Sequence, residues 1–137
     1  MDDLVQRLLR RPTPSSYQRA WAPRLDVYEA HGEFIVVVEL AGVDPGAVTI
    51  EIEGAEVSIT GTREPTRPPA GAAGVALGAE CLQIEIPFGA FERRLVLPVA
   101  VDAGRATADF ADGTLTVRLP KANDGPKRVQ IDVSNAE

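Results

Sequence analysis

Few residues in this chain have side chains suited to chemistry, and their spacing brings none of them into a working set. His31 is the single histidine. It precedes Gly32 between two strand-like runs, a turn composition rather than that of a proton-transfer site or metal ligand. Ser58 stands inside an alternating run, outside any G-x-S-x-G elbow, and Cys81 has no neighbouring motif that would make it a nucleophile. As the only cysteine, Cys81 also leaves no intrachain disulfide, in keeping with a reducing compartment. It reads as a small, partly buried thiol, the alternative being a contact between subunits. The glycines build no G-x-x-x-x-G-K-[ST] loop to cradle a nucleotide phosphate, and the carboxylates lie on outward strand faces without EF-hand spacing. These absences point away from an enzyme, from an ATP-driven machine, and from a bound metal or cofactor.

The elements around these residues are strands. Arg105 to Lys121 (RATADFADGTLTVRLPK) alternates Ala106, Ala108 and Phe110 with polar or small residues, turns at Asp112-Gly113, and alternates again through Leu115, Val117 and Leu119. A two-residue turn sets Phe110 opposite Leu115, Ala108 opposite Val117 and Ala106 opposite Leu119, so one face is apolar and needs a second layer. Pro120, without an N–H, is expected to stop the ladder. Earlier, Arg24 to Glu29 forms a short strand turned by His31-Gly32. Phe34 to Leu40 is a nearly unbroken apolar run, expected to be covered on both sides or to lie at the centre of a sandwich. Val48, Ile50 and Ile52, then Val57 and Ile59, make a second hairpin about Gly54-Ala55. Residues 64–79 hold three prolines and three glycines and form a long loop. Leu82 to Ile86 is strand-like, and Phe91 to Leu97 is a further strand closed by Pro98. About seven or eight short strands and no convincing internal helix predict an all-β, antiparallel β-sandwich.

At 137 residues the chain is one domain with arms. A net charge of −6 argues against nucleic acid or anionic membranes as partners, and no apolar run reaches the roughly 18 residues of a membrane span, so a cytoplasmic location is expected. Leu4, Val5, Leu8 and Leu9 fall at helical spacing in an N-terminal arm ended by Pro12 and Pro14. Residues 12–23 have linker composition and carry Tyr17 and Trp21. The expected division is an arm over 1–22, a β domain over 23–121 and a tail over 122–137.

Several motifs then fall in one order. Trp21 to Glu29 (WAPRLDVYE) resembles P-x-x-D-[IV]-Y-E, and Leu40-Ala41-Gly42-Val43 resembles L-P-G-[VI] with Ala41 in place of proline. Val57 to Arg63 (VSITGTR) fits L-x-I-x-G-x-R, and Glu85 to Pro98 (EIPFGAFERRLVLP) is similar to E-R-x-[YF]-G-x-F-x-R-x-x-x-L-P. The final hairpin supplies A-x-x-x-D-G-x-L. Over residues 22 to 133 the chain resembles the small heat-shock proteins of bacterial type, with their α-crystallin domain.

That resemblance implies an immunoglobulin-like sandwich with flexible N- and C-terminal arms. It implies a homodimer in which Leu82, Ile84 and Ile86 pair with Leu25, Val27 and Tyr28 of the other subunit, with Arg93 as an interface charge. Ile86 and Pro87 depart from the family's Arg and small polar residue. An exposed edge strand carried on a flexible loop invites pairing, which supplies an independent physical motive. Val129-Gln130-Ile131 matches the family's [IV]-x-[IV] motif, whose two branched side chains dock between two sheet edges of a neighbouring dimer. Those edges are here Val48, Ile50 and Ile52 on one side and Ala106, Ala108 and Phe110 on the other. The implied function is that of a stress-response chaperone, an ATP-independent holdase binding unfolding client proteins and leaving refolding to ATP-dependent chaperones. Candidate client surfaces are Leu4, Val5, Leu8, Leu9, Trp21 and the groove once the tail leaves it. The short arm favours dimers or small assemblies. The rival reading is a p23-like β-sandwich co-chaperone, which lacks the crossing strand and the tail motif.

Overall fold

Alternating apolar residues fold this chain into two facing sheets. The computed structural model describes residues 20–65, 80–123 and 128–135. The Leu4, Val5, Leu8 and Leu9 arm, and most of the 64–79 loop, lie outside them. The strands are β1 (Leu25–Ala30), β2 (Glu33–Glu39), β3 (Val48–Glu53), β4 (Glu56–Arg63), β5 (Gly89–Val96), β6 (Thr107–Ala111), β7 (Thr114–Pro120), β8 (Arg128–Ile131) and β9 (Ser134–Asn135). One sheet has the order β1-β2-β7-β6-β9 and the other β5-β4-β3-β8. Every ladder is antiparallel except the two-residue β6–β9 pairing, which is parallel. Two short 3₁₀ turns, Pro45–Ala47 and Ala103–Arg105, link strands; Asp44 and Asp102 cap them by accepting the amides of Gly46 and Gly104.

The Asp112-Gly113 turn has both residues at positive φ, 54° and 75°, as a two-residue hairpin with the right strand twist requires. The resulting register sets Phe110 opposite Leu115 and Ala108 opposite Val117. Ala106, expected opposite Leu119, instead ends the 3₁₀ turn one residue before β6, and its amide donates to Ala103. Pairing also runs one residue past Pro120, because the Lys121 amide donates to the Gly32 carbonyl at 2.7 Å.

The core lies between the sheets. Phe34, Val36 and Val38 of β2, Ile50 and Ile52 of β3, Val57 and Ile59 of β4, and Leu115, Val117 and Leu119 of β7 are all at most 1% exposed. The run Phe34 to Leu40 is therefore covered on one side only: Ile35 and Val37 are half-buried on the outer face, opposite Arg118 and Thr116. An antiparallel sheet with a single covered face buries every second residue, however apolar the run. Gly61 is required by packing. A Cβ there would lie 2.4 Å from Cζ of Phe91 and 2.5 Å from the Ala47 carbonyl, so the Phe91 ring occupies the space a side chain would need.

Candidate functional site

Strand β1 ends its sheet, and among the described residues nothing pairs with its outer edge. Leu25, Val27 and Glu29 share the inner face with Val38, Val36 and Phe34. The second sheet does not reach this far, so Val27 is 44% exposed beside a fully buried Val36. Tyr28, on the outer face opposite Ile35, is 56% exposed.

The segment Leu82 to Ile86 also presents apolar groups. Leu82, Ile84 and Ile86 are 59%, 38% and 53% exposed, while the alternate residues Gln83 and Glu85 hydrogen-bond each other through their side chains. The segment is not a strand within this chain, contrary to its strand-like pattern. A strand needs a ladder partner, and the β4–β5 ladder begins only at the Arg63–Gly89 pair. Arg93 is half-buried, and its Nη1 donates to the Pro23 carbonyl at 3.2 Å. Cys81 is a free, half-buried thiol.

The tail lies across the two sheet edges named from the sequence. Strand β8 pairs with β3, setting Val129 opposite Ile52 and Ile131 opposite Ile50, and β9 runs beside β6 with Ser134 opposite Asp109. Ser134 Oγ donates to the Ala108 carbonyl at 3.2 Å, and Ile131 and Val133 pack against the core. Beneath them Val48, Ile50, Ile52, Ala108 and Phe110 are buried, while Ala106 is partly buried. The described part of the tail is thus not a free arm: it forms two strands on its own chain.

Trp21 likewise does not project. Its amide donates to Ala90 at 3.0 Å, and its carbonyl accepts from Glu92 at 2.9 Å, which covers part of the outer edge of β5. The indole Nε1 donates to the Gly89 carbonyl at 3.2 Å, its ring lies 5.4 Å from that of Phe91, and the Arg63 guanidinium sits 4.3 Å from its centroid. The sequence reading missed Arg63. Its position in VSITGTR was the available signal, but its partners come from distant segments.

Nothing in these surfaces resembles a reaction site. Among the described residues no polar or charged side chain is buried, and no three His, Cys, Asp or Glu side chains cluster as metal ligands. His31 sits exposed in its turn at the rim of an open groove whose charges are already paired. There Arg105 holds Asp102 at 2.9 Å, Lys121 holds Glu29 at 2.5 Å, and Glu33 holds Arg118 at 3.2 Å. No helix among the described residues is long and apolar enough to cross a membrane.

The fold and its surfaces define a two-sheet β-sandwich with one apolar strand edge unpaired among the described residues and one groove filled by the chain's own tail. The Hsp20/alpha crystallin family matches residues 26–134. The chain is 33% identical over 135 residues to the 18 kDa heat shock protein of Streptomyces albus G, covering 96% of this chain and 87% of that protein. It is 33% identical over 119 residues to spore protein SP21 of Stigmatella aurantiaca, covering 86% of this chain and spanning 66% of that protein's length. Among solved structures, hspA from Xanthomonas axonopodis superposes with a TM-score of 0.60 at 30% identity, covering 75% of this chain and 96% of that one. The chain belongs to the Hsp20/alpha crystallin family, the small heat-shock proteins, with bacterial members among its relatives. These are chaperones and not enzymes, and membership supports a chaperone role here.

Proposed function

We propose that the protein is an ATP-independent holdase of the cytoplasm, working as a homodimer and in small assemblies of dimers. The observation that carries this reading is the set of large apolar side chains left in water around β1 and the segment beside β5. Val27, Tyr28, Leu82, Ile84 and Ile86 are each 38–59% exposed. Singly exposed apolar residues are ordinary, but an unpaired strand edge is a template for pairing, and the same chain supplies an exposed apolar segment that could add to it. In a dimer, Leu82 to Ile86 of one subunit adds to β1 of the other, and Arg93 sits near that junction as an interface charge.

Client binding then falls to surfaces the dimer leaves free. Release of Val129 and Ile131 uncovers the groove over Val48, Ile50, Ile52, Ala106, Ala108 and Phe110, where an extended apolar segment of an unfolding protein docks as the tail does. The two tail side chains contribute at most roughly 3–6 kcal/mol before the ordering of the tail is subtracted, so the contact is reversible and competition by a client is realistic. In a neighbouring dimer the same motif links subunits, and several such contacts together give lasting assembly. The arm residues Leu4, Val5, Leu8 and Leu9, with the exposed part of Trp21, extend the client surface. Held clients pass to ATP-dependent refolding chaperones.

The test is light scattering from a heat-unfolding client without ATP, across a range of ratios. Suppression near stoichiometric ratios supports the holdase reading; undiminished scattering at every ratio with two different clients sinks it.

A further inference from the structure

Arg63 closes β4 and stands across the ladder from Gly89, at the stem where the chain leaves one strand and enters the next. Its guanidinium reaches three segments that are distant in sequence. Nε and Nη2 donate to the Pro87 carbonyl at 3.0 and 2.5 Å, Nη1 donates to the Ala41 carbonyl at 3.2 Å, and the group lies over Trp21. Pro87 immediately follows Leu82 to Ile86, Ala41 lies in the turn after β2, and Trp21 is the entry from the arm. A planar fork with five donors can hold two carbonyls and stack on a ring at once, whereas an ammonium on a flexible stem cannot. Two of the partners are backbone oxygens, so the contact at Ala41 does not depend on the side chain there.

We propose that Arg63 is a positioning residue: it fixes the direction in which Leu82 to Ile86 leaves the sandwich and so pre-orders that segment for pairing with β1 of a second copy. The inference rests on the dimer reading above. Holding Pro87 restricts the orientations available to the segment before it pairs, and restriction before binding is gained as affinity. Arg63 is half-buried at the end of β4 and is not one of the core side chains, so its replacement is expected to leave the sandwich folded. Because the guanidinium also covers Trp21, the only tryptophan, the arm and the pairing segment share one anchor.

The experiment measures the dimer dissociation constant by sedimentation on dilution, with Trp21 emission and melting temperature, for the full chain, Arg63→Lys and Arg63→Met. Both variants are expected to keep the sheet signal while dissociating at least about tenfold more readily, the loss of charge-assisted hydrogen bonds. Arg63→Lys should behave like Arg63→Met, and emission should shift as the indole loses its cover. A dissociation constant within about twofold of the parent, alongside altered emission, overturns the proposal and leaves Arg63 as a cover for the indole alone. Full rescue by Arg63→Lys overturns it too, since charge would then suffice. If both variants lose their sheet signal, Arg63 belongs to the fold and the proposal fails. A parent chain that is monomeric at every concentration rejects the dimer reading itself, whereas a dimeric parent with unaffected variants rejects only the role of Arg63.

Discussion

Val27 lies directly opposite Val36 on the inner face of one sheet, yet Val36 is fully buried and Val27 is 44% exposed. Val36 lies between two strands and beneath the second sheet, whereas Val27 stands on the edge strand with a neighbour on one side only. Among the described residues the core therefore runs out at β1, and its last apolar row is left without cover.

Placing a charge on that row should separate the subunits. Val27→Asp and Ile84→Asp each put a carboxylate where the dimer would bury it, and an unpaired buried charge costs several kcal/mol. Sedimentation should show monomers at concentrations where the parent is dimeric, with circular dichroism unchanged. A dimer of parental affinity in both variants would remove β1 and the segment at 84 from the interface.

The tail is open to a double substitution. Val129→Ser with Ile131→Ser keeps the backbone able to pair with β3 but strips the apolar anchors, a gross loss of roughly 3–6 kcal/mol. Native mass spectrometry should show assemblies reduced to dimers. If the parent is larger than a dimer and the variant has the same mass, the tail does not link subunits.

Gly61→Ala tests the packing of Phe91 on β4. The new methyl group would lie 2.4 Å from the Phe91 ring and 2.5 Å from a backbone oxygen, so the strand or the ring must move. Overpacking of this kind costs about 1–3 kcal/mol, which lowers the melting temperature by several degrees in a domain of this size. A variant melting with the parent would show that the Phe91 ring and the backbone at Ala47 both give way at little cost.

The arm can be separated from the fold. Leu8→Ser with Leu9→Ser should weaken suppression of client scattering severalfold while leaving the melting temperature within about 1 °C, the outcome expected if the two leucines serve client binding and not the core. Addition of ATP and magnesium should change suppression in neither protein. Suppression equal to that of the parent would take the arm out of client binding.

What the sequence determined by itself was local. Alternation assigned Ile50, Ile52, Val57 and Ile59 to the inner face, and Asp112-Gly113 set the register of Phe110 against Leu115, because both depend on backbone geometry within a few residues. The order of the motifs was enough to name the family. The tertiary structure alone decided which edges meet. It left Ile35 and Val37 on an outer face, where the run alone allowed cover on both sides or a place at the centre of a sandwich, tied Trp21 down beside Phe91, laid the tail over β3 and β6 of its own chain, and gathered Trp21, Ala41 and Pro87 around Arg63. Periodicity says which way a side chain points, but what stands on the other side depends on segments tens of residues away, and those are brought together only when the sheets close on their core.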